Sequence, residues 1–160
     1  MGRRCPSGPR RTFVTRFISH RGNVDGPDPQ RENSPSYVDT AIALGHMVEV
    51  DLHRIGANWF LGHDYPQYQV SSGWIEARHQ LLLHLKSAAA LAEVTASHPH
   101  WHYFCHRSDS YTITSQNYVW LHDLTLRATP KTIVPLLSKE LLLSYPGRDL
   151  VYAICSDYCS

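Results

Sequence analysis

The chain has 160 residues, of which 42% are hydrophobic and 18% are charged, and its formal net charge is +1 at pH 7. This composition excludes a wholly disordered protein, and the length allows one domain that buries roughly 70% of the surface of the unfolded chain. The balanced charge excludes a globally basic nucleic-acid-binding surface, and no apolar run approaches the ~20 residues that span a bilayer.

The first eleven residues contain four arginines together with Pro6, Gly8 and Pro9. This composition predicts a disordered basic tail over residues 1–11 and a single domain over residues 12–160. No apolar segment typical of a secretory signal follows the arginines, so we expect a cytoplasmic protein with no nucleic-acid partner and no transmembrane segment. No pattern in the sequence sets an oligomeric state.

The first predicted elements are a strand and a helix separated by a polar loop. A β-rich run over residues 13–19 ends just before His20, and the Gly-, Pro- and Asp-rich stretch that follows cannot continue a strand. Ser34 and Pro35 are a favourable N-cap and first helical residue, so a helix is predicted from there to Gly45.

Residues 47–52 alternate in polarity and predict a strand that carries Glu49 and Asp51 on one face. Two carboxylates at this spacing can bind Mg²⁺ or Ca²⁺ and leave coordination positions for phosphate oxygens. Taken alone, the same pair also fits the solvent-facing side of an edge strand.

The remaining elements continue the alternation of strands and helices. Strand-like runs cover residues 59–62, 80–86, 100–106, 111–121, 132–137 and 150–155, and helical segments cover residues 87–97 and 138–144. Repeated strand-helix units imply a mainly parallel sheet, whose functional groups lie at the carboxyl ends of the strands.

Several of these strand ends carry titratable side chains. They are His20 with Arg21, His63 with Asp64, His84 with Lys86, His106 with Asp109, and Asp157. His20 and His63 can take the two proton-transfer roles of phosphodiester cleavage, because unperturbed imidazoles titrate near pH ~6.5. Arg21 adds a fork of donors suited to a phosphate.

Four short motifs occur in the order and approximate spacing of a known family. The runs Ile18-Ser19-His20-Arg21-Gly22, Glu32-Asn33-Ser34, Glu49-Val50-Asp51-Leu52 and Gly62-His63-Asp64 resemble the signature of glycerophosphodiester phosphodiesterases, in the superfamily of phospholipase C-like phosphodiesterases. The resemblance implies a (β/α)₈ barrel and a metal-dependent hydrolase. Its substrate would be a small glycerophosphodiester, cleaved into glycerol phosphate and an alcohol.

The resemblance also implies roles for individual residues. His20 and His63 would be the acid-base pair, and Arg21 and Lys86 would bind the phosphate. Glu49 and Asp51 would be metal ligands, with Glu32 and His84 as further candidates. His106 and Asp109 would lie on the substrate side. The carboxylates favour Mg²⁺ or Ca²⁺ as the cofactor. His84 stands where the family usually has a third acidic ligand, and an imidazole prefers softer ions.

The length is well below the ~250 residues typical of an eight-stranded barrel. We therefore predict an α/β fold, a shortened (β/α) TIM-type barrel with a mainly parallel sheet. Short loops are expected to replace some of its helices, especially between Tyr103 and Pro135.

Two alternatives stay open from the sequence. The first is a catalytically weak or inactive barrel that binds a phosphate-bearing ligand, suggested by His84 in the third ligand position. The retained catalytic histidines favour an enzyme, because binding alone does not require two proton-transfer groups. The second is a separate zinc site formed by His100, His102 and His106 on one strand face, although such histidines more often pack or meet solvent.

Overall fold

A computed structural model describes residues 15–160 of the chain. The predicted tail, residues 1–11, lies outside these described residues, as does the start of the strand predicted over residues 13–19. The strands are β1 Phe17–His20, β2 Met47–Ile55, β3 Asn58–Leu61, β4 Tyr68–Val70, β5 Leu81–Leu85, β6 Tyr103–Phe104, β7 Tyr111–Ile113, β8 Val119–Leu121, β9 Thr132–Pro135 and β10 Ala153–Ser156. The helices are α1 Pro35–Ala43, α2 Ser72–Glu76, α3 Ala88–Ser97 and α4 Lys139–Ser144, and a 3₁₀ turn covers Arg148–Leu150.

The strands form one curled, mixed sheet. Parallel ladders join β6, β5, β2, β1, β10, β9 and β8 in that order. Antiparallel ladders join β3 to the second half of β2, β4 to β3, and β7 to β8. The sheet curls enough for the Ser115 N–H, just beyond β7, to donate to the Tyr103 carbonyl in β6 at 2.8 Å. Among the described residues, no ladder joins β6 to β7. The sheet is a half-barrel with β1 and β10 as central neighbours.

The prediction of a shortened, mainly parallel TIM-type barrel is wrong, because hairpins interrupt the strand-helix alternation. Only two residues, Gly56 and Ala57, connect β2 to β3, which is too short for a parallel crossover. Gly56 has φ +55°, a conformation that glycine adopts without strain. The strand predicted over residues 111–121 is likewise a hairpin that turns around Asn117, whose φ is +62°.

Most of the other predicted elements are confirmed within a few residues. The predicted helices correspond to α1, α3 and α4, and the strand predicted over residues 47–52 extends to Ile55 as β2. The strand predicted over residues 100–106 is reduced to Tyr103–Phe104, whereas α2 and β4 were not predicted. Within residues 15–160, no helix combines the length and apolar character needed to cross a membrane.

The two faces of the sheet bury separate hydrophobic clusters. On the outer face, Val48, Val50, Leu52, Leu81, Leu83 and Leu85 pack under Val38 and Ala41 of α1 and Ala90 and Val94 of α3. On the inner face, Ile18, Leu82, Phe104, Trp120, Ile133, Ala153 and Cys155 pack together. Because alternate side chains of a strand point to opposite faces, Glu49 and Asp51 of β2 lie on the inner side.

Candidate active site

The carboxyl ends of β1 and β5 lie on either side of the first part of β2 on the inner face. In the parallel ladders His20 pairs with Glu49, and Asp51 pairs with His84. His20, Glu49 and His84 border a cavity of about 830 Å³, which we call the strand-end cavity. Its lining includes His20, Arg21, Glu49, His63, His84, Lys86, His106 and His122.

Glu49, Asp51 and His84 form a cluster able to hold a metal ion. One ligand atom from each of the three lies within 4.8 Å of the other two. His84 Nδ1 is 3.1 Å from Asp51 Oδ1 and 3.7 Å from Glu49 Oε1. Both carboxylates are buried, and Glu49 Oε2 accepts no hydrogen bond from the described residues. An unsatisfied buried carboxylate oxygen is costly, so the cluster fits a cation.

The pKa values of Glu49 and Asp51 shift in opposite directions. Burial, together with the nearby charge of Asp51, raises the pKa of Glu49. Burial also acts to raise the pKa of Asp51, but His84, Arg21 and Lys86 outweigh it and hold that pKa well below its usual range. A cation in the cluster would favour the ionised form of both groups.

The predicted phosphate-binding residues lie beside Asp51. Arg21 Nε is 3.0 Å from Asp51 Oδ2, and Lys86 Nζ is 3.3 Å from Asp51 Oδ1. Asn33, whose backbone φ is +62°, donates from Nδ2 to Asp51 Oδ2 at 3.0 Å and accepts from the Asp51 N–H at 2.9 Å. The asparagine therefore fixes the carboxylate, while the two cations line the cavity and can meet an anion.

Asp157, the residue after β10, positions His20. The two groups share a hydrogen bond of 2.8 Å between His20 Nδ1 and Asp157 Oδ1, and both are buried. His20 Nε2 lies 4.0 Å from Glu49 Oε2. Burial lowers the pKa of His20, but the Asp157 hydrogen bond and the Glu49 charge outweigh it, so the pKa is raised above 6.5. Nε2 is therefore the His20 ring nitrogen that faces the Glu49-Asp51-His84 cluster.

His63 reaches the same cavity from the end of β3. Gly62 has φ +147°, and an added Cβ there would collide with the Tyr65 carbonyl, so the turn that presents His63 requires glycine. His63 Nδ1 is 2.8 Å from Asp64 Oδ1, and its side chain is 41% exposed. Burial and the charges of Arg21 and Lys86 lower its pKa.

Glu32 forms an ion pair with Arg21 and is not part of the Glu49-Asp51-His84 cluster. Its Oε2 accepts from Arg21 Nη1 at 3.1 Å, and its Oε1 accepts from Asn23 Nδ2 at 2.9 Å. The Asn23 amide also donates to Asp157 at 2.8 Å. Glu32, proposed from the sequence as a further metal ligand, instead links Arg21 to the group that holds His20.

Of the two predicted substrate-side residues, His106 lines the cavity and Asp109 does not. The rings of His106 and His122 stack with centroids 3.9 Å apart, and the Trp120 indole N–H donates to His122 Nε2 at 2.8 Å. His106 Nδ1 is 3.8 Å from the Asp109 carboxylate, which is itself largely exposed. Burial lowers the pKa of His106 and lowers that of His122 to about 4, so the His122 imidazole is neutral near pH 7.

The structure does not bring the alternative zinc ligands together. His102 is buried and hydrogen bonds to Thr114 Oγ1 through Nε2 at 3.1 Å. His100 is exposed beside Glu76, whereas His106 lines the strand-end cavity. Among residues 15–160, Glu49, Asp51 and His84 form the single group of three or more potential ligands close enough to share an ion.

Sequence reasoning did not assign roles to four residues of the site: Asn23, Asn33, His122 and Asp157. Asn33 lies within one of the family-like motifs, and Asp157 follows the last strand, so both positions carried a signal. Asn23 and His122 lie in loops whose positions depend on strand register.

The chain was compared with protein-family models, with curated proteins and with solved structures, and none of the three comparisons gave a match. The function of the chain is therefore inferred from its motifs and from the geometry of the strand-end cavity.

Proposed function

We propose that the protein is a metal-dependent phosphodiester hydrolase that acts on a glycerophosphodiester or a related small phosphodiester. The observation that carries this proposal is His20, held by Asp157 beside the Glu49-Asp51-His84 cluster. A site that only bound a phosphate would not need a buried carboxylate to orient an imidazole.

The residues of the cavity divide into three tasks. Glu49, Asp51 and His84 would hold a divalent ion, and this ion would neutralise the negative charge that develops on the phosphoryl oxygens. Arg21 and Lys86 supply donors for the remaining phosphate oxygens. The neutral wall formed by His106 and His122 is left for the alcohol portion of the substrate.

His20 and His63 carry the protons of the reaction. One imidazole accepts a proton from the attacking water as the new P–O bond forms. The other gives its proton to the alcohol oxygen as the original P–O bond breaks. The pKa of His20 is raised and that of His63 is lowered, and a pair that begins in opposite protonation states needs such a separation.

A substrate panel tests this function. Glycerophosphocholine, lysophospholipids and a chromogenic aryl phosphodiester are assayed with Mg²⁺, Ca²⁺, Mn²⁺ and Zn²⁺. His20→Ala and His63→Ala should each abolish turnover with the fold intact by circular dichroism, whereas His79→Ala, on the surface, should retain it. Absence of turnover on every substrate, with phosphate binding preserved, would favour the non-catalytic alternative.

A further inference from the structure

The orientation of His84 determines which ion the cluster can prefer. His84 Nε2 is 3.1 Å from the backbone carbonyl of His106. A carbonyl oxygen only accepts hydrogen bonds, so Nε2 carries a proton and donates to it. Nδ1 is therefore the ring nitrogen that faces Glu49 and Asp51 and can bind an ion. Metal-binding histidines typically donate their other ring N–H to a backbone carbonyl in this way.

The ring is also held in place by packing. His84 stacks on Phe104 with centroids 4.7 Å apart and planes inclined by 10°, and its side chain is only 13% exposed. A flip of the ring that moved Nδ1 away from the carboxylates would keep the stack but lose the hydrogen bond from Nε2 to the His106 carbonyl. His84 is therefore preorganised as a nitrogen donor.

One nitrogen and two carboxylate oxygens converge beside His84. Nδ1 faces Asp51 Oδ1 at 3.1 Å and Glu49 Oε1 at 3.7 Å, so a cation held among these atoms would take the place of a proton on Nδ1. Glu49 Oε2 also lacks a hydrogen bond among the described residues. This convergence calls for a cation that binds both oxygen and nitrogen.

The donor set of the cluster offers little to a hard cation. Affinity for Ca²⁺ increases with the number of charged oxygen ligands, and here only two carboxylates are present. One of them, Asp51, already contacts Arg21 at 3.0 Å and Lys86 at 3.3 Å. A neutral imidazole adds no charge to attract Mg²⁺ or Ca²⁺, but it adds a donor that first-row transition ions favour.

We infer that the Glu49-Asp51-His84 cluster selects a first-row transition ion of the Zn²⁺ class over Mg²⁺ and Ca²⁺. This inference rests on the proposed metal-dependent function and differs from the ion expected from the carboxylates alone. His84 is the residue that sets the preference.

The test compares metal affinities of the full chain with those of His84→Glu, measured by calorimetry with Zn²⁺, Mn²⁺ and Mg²⁺. The substitution restores a third carboxylate and should narrow the Zn²⁺-to-Mg²⁺ affinity ratio by about tenfold or more. His79→Glu introduces the same charge at an exposed position and should leave the ratio unchanged.

A second measurement uses the wild-type chain and therefore does not depend on the folding of a variant. In ¹⁵N spectra of the wild-type chain, Zn²⁺ should shift the Nδ1 resonance of His84, whereas Mg²⁺ at equal occupancy should not produce a nitrogen-coordination shift. An unchanged affinity ratio in His84→Glu together with an unshifted Nδ1 resonance would overturn the inference and leave the hydrolase proposal standing. Failure of wild type to bind any of these ions would overturn both.

Discussion

Replacing Asp157 with Asn measures the contribution of the charge behind His20. Asp157 is 6% exposed, and its Oδ1 lies 2.8 Å from both His20 Nδ1 and Asn23 Nδ2. A hydrogen bond to a charged group contributes about 1.5–3 kcal/mol, and the isosteric amide keeps at most its neutral part. Since 1.4 kcal/mol is tenfold in rate, we expect kcat to fall about 10- to 100-fold. KM should change little, because Asp157 does not line the strand-end cavity.

The assay is steady-state hydrolysis of a phosphodiester that the wild-type protein turns over, with urea unfolding measured on each variant. Asp39→Asn is the matched control, since it removes a carboxylate 2.6 Å from Arg78 on the opposite side of the sheet from His20. We expect its kcat to stay within about twofold of wild type. Wild-type kcat in Asp157→Asn would refute the positioning role, as would an equal loss in both variants.

Two further predictions concern stability and pH. Gly62→Ala should destabilise the fold by about 1–3 kcal/mol and reduce turnover, because alanine must adopt φ +147° against the Tyr65 carbonyl; an unchanged urea midpoint would contradict this. Burial lowers the pKa of His102 from 6.5 to about 4. Below pH 6.5 the unfolded chain therefore binds a proton at this residue that the folded chain does not bind, and the free energy of unfolding decreases as the pH falls toward 4. Between pH 7.5 and 5 this lost stability is about 2 kcal/mol, and His102→Gln should remove that part of the pH dependence in chemical denaturation; parallel curves for the two proteins would contradict it.

Local sequence patterns predicted the elements better than their arrangement. The cap at Ser34 and Pro35 and the polarity of residues 47–52 act within one element, so α1 and β2 were foreseen. Whether β3 pairs parallel or antiparallel depends on the length of its connection to β2. The two-residue link of Gly56 and Ala57 is a hairpin signal and makes this pairing antiparallel.

Much of the candidate site was predictable from local patterns. His20 and His84 were expected at strand ends and Glu49 and Asp51 on one strand face, and the parallel ladders bring the four side chains together. The pairing of His20 with Asp157 was not predictable, because it requires β10 to lie beside β1 in one particular register. Long-range register is fixed by the assembled core and not by either segment alone.

The adjacency of β1 and β10 also has a consequence for the order of folding. His20 and Asp157 are separated by 137 positions, so closing this contact carries a large loop entropy and is expected late on the folding pathway. A partly folded chain can align Glu49, Asp51 and His84 through the neighbouring β2 and β5 ladder before His20 gains its partner. Such an intermediate would bind an ion without being competent for proton transfer, so the maturation of activity would report the docking of the last strand.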